Sequence, residues 1–193
     1  MLEFIKNQKI KFSFFLVFVF LFSCDQNHKP KPKGFQRYTL PTPQHETINF
    51  SDYYLFEKNK IAKPELNKDL GWLNLSYKKE GAEILITFKQ INTPQDLSLY
   101  IKESYKLISK HKAKANSILE TNIKTIDGKH AVLIDIKGEV ASPFQFITTD
   151  SSKNFLRAAL YFEKPIKGDS LSPIVDYLKK DMLHVLNTLQ WNE

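Results

Sequence analysis

Cys24 is the only cysteine among the 193 residues, and its setting assigns it one chemistry. It closes Leu21-Phe22-Ser23-Cys24, at the end of an apolar run from Phe12 to Phe22 that follows Lys6, Lys9 and Lys11. A positive n-region, a short apolar h-region and the small Ser23 before the cut make an export signal. A cysteine placed at the cut supplies the thiol that takes a diacylglycerol, so Cys24 is the expected lipidation site. The competing reading is an ordinary secretory signal with a free cysteine beside it. The apolar run of eleven residues is about half of the roughly 20 that a spanning helix needs. Two or more acyl chains hold a protein stably where one binds marginally, so the mature chain is expected to be anchored and not spanning.

The other reactive side chains are more dispersed. Metal binding needs His, Asp or Glu at ligand spacing, but His28, His45, His111, His130 and His184 fall in five separate segments without a zinc signature. His184 follows Asp181 by one helical turn, a spacing that could orient an imidazole; the pair is expected as two polar neighbours on a solvated helix face. Asp150-Ser151-Ser152 has no histidine near it in sequence. It is expected as a turn in which Asp and Ser side chains bond local amides, with a hydrolase-like site on Asp150, Ser151 and His184 as the remotest reading. Only six glycines are present, and none forms a phosphate loop. No catalytic residue, metal or cofactor is therefore expected beyond the covalent acyl lipid at Cys24.

Lys102, Lys106 and Lys110 recur at i, i+4, with Lys112 and Lys114 just beyond. Like charges at this spacing cost a few tenths of a kcal/mol per pair. They form either a solvated basic face or a contact for an anionic membrane or acidic partner. Trp72 and Trp191, with Phe35, Tyr53, Tyr54 and Phe56, are candidates for an aromatic surface, with core packing as the default role. Thr42 to Ala62 is the most polar and irregular stretch, where a partner-binding edge would be sought first.

These residues need a scaffold. Cleavage before Cys24 leaves 170 residues, enough for one domain with a sizeable core, and lowers the net charge from +7 to +5. The expected organisation is a signal peptide over 1–23, a lipidated, Pro- and Lys-rich tether over 24–34, and a single domain over 35–193. The tether's Asp25 to Lys33 reaches roughly 28 Å at about 3.1 Å per residue. From Phe35 the period is mostly two, with short runs at Phe35 to Leu40, Tyr53 to Glu57 and Trp72 to Tyr77, then a turn at Glu80-Gly81 into Ala82 to Ile91. Thr93-Pro94 opens a helix carrying Leu97, Ile101, Tyr105 and Ile108 on one stripe to about Lys110. Ser117 to Ile126 and Lys129 to Lys137 flank Asp127-Gly128; a two-residue turn there sets Ile123 opposite Val132 and Leu119 opposite Ile136. Phe144 to Asp150 and Phe155 to Phe162 form a second hairpin. Its second strand is apolar on both faces apart from Arg157, so it belongs at the centre of a covered sheet. A final helix starts with Ser172 as its cap and carries Ile174, Leu178, Met182, Val185 and Leu189. The class is α+β, an antiparallel sheet flanked by two helices, an order that resembles the Mog1/PsbP-like sandwich.

The chain also resembles the gliding motility lipoprotein GldD family of gliding Bacteroidota. The likeness rests on Pro30-Lys31-Pro32-Lys33 with Phe35 and Arg37, Lys110-His111, Lys114-Ala115, Ala141-Ser142, Gln145-Phe146, Thr149-Asp150-Ser151, Phe155-Leu156 and Tyr161-Phe162. It continues through Asp169-Ser170, Pro173, Tyr177-Leu178-Lys179, Asp181, His184 and Trp191. Ala158 and Asn154 depart from the pattern, where glycine and histidine are usual, and Glu46 to Leu70 fits least well.

The resemblance implies a palmitate-bearing lipoprotein that serves gliding and the linked type IX secretion machinery alongside other Gld lipoproteins and the membrane protein GldE, and that is not an enzyme. A small-molecule or cell-wall-binding module is the alternative. Nucleic acid is not an expected partner, because the anchor holds the domain outside the cytoplasm. Periplasm-facing attachment is expected, at the inner membrane in preference to the outer because Asp25 follows the lipidated cysteine. Cys24→Ser should leave the signal uncleaved by the lipoprotein peptidase and the protein unlabelled by a palmitate analogue in growing cells; label on the variant would refute the anchor assignment.

Overall fold

Phe155–Phe162 is apolar on both faces apart from Arg157, and the fold is arranged around that strand. The structure, a computed structural model, describes residues 38–67, 72–166 and 171–192, all within one compact unit spanning Phe35–Glu193. Cys24, the signal segment and the tether lie outside the described residues. The strands are β1 (His45–Ser51), β2 (Tyr54–Asn59), β3 (Lys63–Asn67), β4 (Trp72–Tyr77), β5 (Ala82–Gln90), β6 (Ala115–Lys124), β7 (His130–Gly138), β8 (Phe144–Thr149), β9 (Asn154–Phe162) and β10 (Gln190–Trp191). Two helices, α1 (Pro94–Ser109) and α2 (Ser172–Thr188), complete the set.

Seven strands form one antiparallel sheet in the order β3-β4-β5-β9-β8-β7-β6, so β9 is its middle strand. Strands β1, β2 and β10 form a second sheet of three. Alternation divides β9 cleanly. Leu156, Ala158, Leu160 and Phe162 join Leu73, Leu75, Ile84, Ile86, Phe144 and Phe146 in a core closed by Tyr54 and Phe56 of β2 and by Leu178, Met182 and Leu186 of α2. On the opposite face, Phe155 joins Ile134, Ile136 and Ile147 with Ile108, Leu97 and Tyr100 of α1. The sheet is thus flanked by helices, as its pattern predicts.

Several local expectations are corrected. The β6–β7 loop holds three residues, Ile126 to Gly128, between Thr125 and Lys129, whose N–H and C=O pair at 2.8 Å. Gly128 sits at φ +88 as the left-handed residue of a bulged turn, and the register moves by one from the two-residue case. Ile118, not Leu119, opposes Ile136, and Asn122 opposes Val132. A one-residue slip exchanges faces, which leaves Leu119 61% exposed. At the far end Gly138 has φ +134, and a Cβ there would lie 2.4 Å from the Lys114 carbonyl oxygen, so the bulge between Ala115 and Ser117 needs this glycine.

On α1, Ser104 and Ile108 are buried while Ile101 and Tyr105 are exposed, so the inward stripe runs Leu97, Tyr100, Ser104, Ile108. The start of α1 is as expected: Asp96 accepts the Asn92 and Thr93 amides at 2.9 and 2.8 Å. Helix α2 begins with Ser172 inside it and Leu171 as its cap. The stretch from Thr42 to Ala62 is a hairpin, with a register shift between Asn49 and Ser51, whose Tyr54 and Phe56 are core, whereas Tyr38 and Leu40 pack against the core without entering a strand. Leu160 is 0% exposed at the middle of this core. Leu160→Ala should cost about 2–5 kcal/mol, read as a lowered midpoint in denaturant unfolding of the folded protein.

Candidate functional site

The largest assembly of reactive groups surrounds Asp181 on α2, which is 2% exposed. Its Oδ2 accepts from the Asn59 side-chain amide at 2.8 Å and from the Tyr77 hydroxyl at 3.0 Å. Its Oδ1 lies 3.4 Å from His45 Nε2. Asn59 also donates to the Tyr177 hydroxyl at 3.0 Å. Burial first, and then the Asp181 charge, push the Tyr77 hydroxyl pKa far above its ordinary value, so Tyr77 stays a donor. One carboxylate therefore joins β1, β2, β4 and α2.

His184 does not lie on a solvated face beside Asp181. Its ring stacks on His45 with centroids 3.6 Å apart, and its Nε2 lies 2.8 Å from Glu57 Oε2. The Glu57 amide donates to Thr188 Oγ1 at 3.0 Å, and that hydroxyl donates to the His184 carbonyl at 2.8 Å. Next to it Lys58, 5% exposed, reaches Glu46 at 2.6 Å and the Ala62 carbonyl at 3.1 Å. The hydrogen bond and charge of Lys58 hold the Glu46 carboxyl below its usual range. Acids and bases are plentiful here, but each has a partner, and the described clefts are lined by other residues. Tyr177, Asp181, His184 and Thr188 follow helical spacing beside the apolar stripe, which is the signal that sequence alone carries for this network.

Asp150 and Ser151 stand apart from these histidines in their bonding. Asp150 Oδ1 accepts the amides of Ser152, Lys153 and Asn154 at 2.8 to 2.9 Å, and Oδ2 accepts the Asn154 side chain at 2.6 Å. The Ser151 amide donates to Thr149 Oγ1 at 2.9 Å, with Ser151 at φ +64. Asp150 and Thr149, not the serine hydroxyls, thus hold the turn. Burial raises the Asp150 pKa, the four hydrogen bonds outweigh it, and the carboxyl is held below its ordinary value.

Lys102, Lys106, Lys110, Lys112 and Lys114 are all exposed, and none is in an ion pair among the described residues. Leu99, Ile101, Tyr105 and Leu107 of α1 are 37–50% exposed beside them. Of the aromatic candidates Trp72 and Tyr53 are 46% and 41% exposed, while Tyr54 and Phe56 are buried. Among the described residues no group of three or more His, Cys, Asp and Glu side chains could hold a metal ion. No described helix is long and apolar enough to cross a membrane.

The fold and these sites define an α+β module with a buried polar network around Asp181 and, along α1 and the turn after it, a row of lysines without ion pairs among the described residues. Residues 25–191 match the family model of the gliding motility lipoprotein GldD, and the chain belongs to that family. Membership makes it a motility lipoprotein associated with a membrane of the cell envelope. No curated protein matches the chain.

A depressed folded-state pKa stabilises above the unfolded value and loses that contribution as pH falls through the folded one. Asp150→Ala should therefore lower stability by about 1–2 kcal/mol at pH 7. The gap from wild type should close as the pH drops below the ordinary aspartate value of 3.8, which urea titrations at several pH values would show.

Proposed function

We propose that this chain is a lipid-anchored accessory protein on the periplasmic side of the inner membrane, required for gliding motility and the linked type IX secretion apparatus. It acts through protein contacts, with other Gld lipoproteins and the membrane protein GldE as the partners that family membership suggests. The carrying observation is the match to a motility lipoprotein family over 25–191. The surface of α1 and the turn after it supports a contact role: five exposed lysines without acid partners among the described residues flank four half-exposed apolar side chains. Such a mixture suits an acidic partner whose own apolar residues meet Leu99 and Leu107, since charge sets orientation and apolar area sets affinity.

The alternative, a small-molecule or cell-wall ligand, draws on one cleft of about 640 Å3 lined by Asn116, Lys137, Glu139, Asp176 and the ion pair Asp135–Lys179. Two sets of variants separate the readings when colony spreading is scored with protein level. Lys102→Glu, Lys106→Glu and Lys110→Glu combined should stop or strongly reduce spreading while the protein accumulates normally, and Asp135→Asn with Lys179→Gln should spread as wild type. The reverse pattern would replace the contact reading with the ligand reading.

A further inference from the structure

Arg157 is the only charge on β9, and nothing in the described residues neutralises it. Nη2 donates to Gln145 Oε1 at 2.6 Å. Nε is buried without a hydrogen-bond partner among the described residues, and none of their ion pairs includes Arg157. Burial lowers the pKa of the guanidinium from its ordinary value. A charge withdrawn from water without a counter-charge costs stability, and an apolar side chain of similar size would suit the middle of the sheet better. A local rule broken at the centre of the fold points to a use.

The surroundings show what use. Gln145 is 0% exposed and its amide donates to Ser142 Oγ at 3.0 Å, which fixes Oε1 toward the arginine. Across the strands, Arg157 lies between Ile147 of β8 and Thr87 of β5, with Trp72 of β4 beyond Thr87 on the same face. Ile147 is buried beneath α1, while Trp72 is 46% exposed, so the guanidinium stands where the covered half of the sheet gives way to its open half. Tyr161, 44% exposed, shares this face four residues further along β9, and only Ala159 lies between them. His111, in the turn after α1, is close enough that the Arg157 charge adds to burial in lowering its pKa. Of the acids beside this face, Glu103 is taken by Lys89 at 2.6 Å, and Glu83 stands opposite Tyr161, two same-face pairs further along β5 and β9 than the pair of Thr87 and Arg157.

We propose that Arg157 and His111 form the cationic end of an oxyanion-binding site on the open half of the seven-stranded sheet, with Trp72 and Tyr161 as its aromatic side, and that it takes a carboxylate or phosphate group. With Gln145 holding one Nη2 hydrogen, Nη1 and the remaining Nη2 hydrogen are uncommitted among the described residues, and that pair grips two oxygens of one planar or tetrahedral anion. The arriving charge also favours protonated His111, which adds a second cation to the contact. The oxyanion is either a free small anion or an acidic group displayed by a partner protein, and the site's chemistry is the same for both. This site goes beyond the accessory role proposed above and does not depend on it.

Thermal unfolding of the full-length lipoprotein in neutral detergent tests it, in chloride against acetate and phosphate at matched ionic strength. The wild type should gain a saturable rise in Tm with acetate or phosphate. Arg157→Met should still unfold cooperatively in chloride and show no oxyanion response. His111→Gln, at a turn and outside the core, should fold regardless and need several-fold more anion for half the shift. Equal wild-type melting in all three salts, or an undiminished response in both variants, would overturn the proposal. A photo-cross-linker at position 72 in cells then distinguishes the sources. An adduct to another protein that disappears with Arg157→Met marks a partner's acidic group, and a thermal response without an adduct marks a free anion.

Discussion

The carboxylate of Asp181 is the interaction on which the relation between the two sheets and α2 depends. A carboxylate 2% exposed must be hydrogen-bonded to survive burial, and its donors come from Asn59 and Tyr77, with His45 at its other oxygen. Those three residues stand on three different strands, so satisfying one charge fixes α2 against β1, β2 and β4 at once. Apolar burial supplies most of the favourable energy, but it is non-directional, and Met182 or Leu178 could slide by a turn at modest cost. The polar network cannot. It converts a greasy contact between helix and sheet into a single arrangement.

Where sequence pattern and structure agree, the controlling physics is local. The two-sided apolar pattern of Phe155 to Phe162 places β9 centrally, and Trp72–Tyr77 and the capped start of α1 follow from alternation and turn chemistry. Where they part, a distant partner decides. Asp127-Gly128 admits both a two-residue and a three-residue loop, and the choice is made by burial of Ile118, which local sequence does not reveal. The stripe on α1 rotates away from Ile101 and Tyr105 because Tyr100 finds Phe155, with ring centroids 5.6 Å apart, and donates to the Gln90 carbonyl at 3.1 Å. Asp181 and His184 look like solvated neighbours in the helix alone. Only the β1–β2 hairpin, which itself reads as an irregular segment, brings His45, Glu57 and Asn59 to them.

The same division runs through the charged groups. Groups that a sequence scan would nominate for catalysis, the Asp150 turn and the Asp181–His184 pair, have every strong acceptor engaged by the protein's own donors. Cations without an ion pair among the described residues include the lysines of α1 and, inside the sheet, Arg157. A lipoprotein at a membrane meets its partners at a high effective concentration, so modest patches of this kind would suffice for the proposed association. The buried network supplies the rigidity that the proposed contact role would require.

The claim that the Asp181 network is scaffold is tested most directly by Asp181→Asn, with thermal unfolding of the protein and colony spreading scored per unit of folded protein in the same strain. The substitution keeps the shape but removes the charge that receives Asn59, Tyr77 and His45. The account predicts a clearly lower Tm, less accumulated protein, and spreading that falls in proportion to the folded amount. Unchanged Tm and protein level with spreading abolished would contradict it, and would make Asp181, His45 and His184 a working site and not a support.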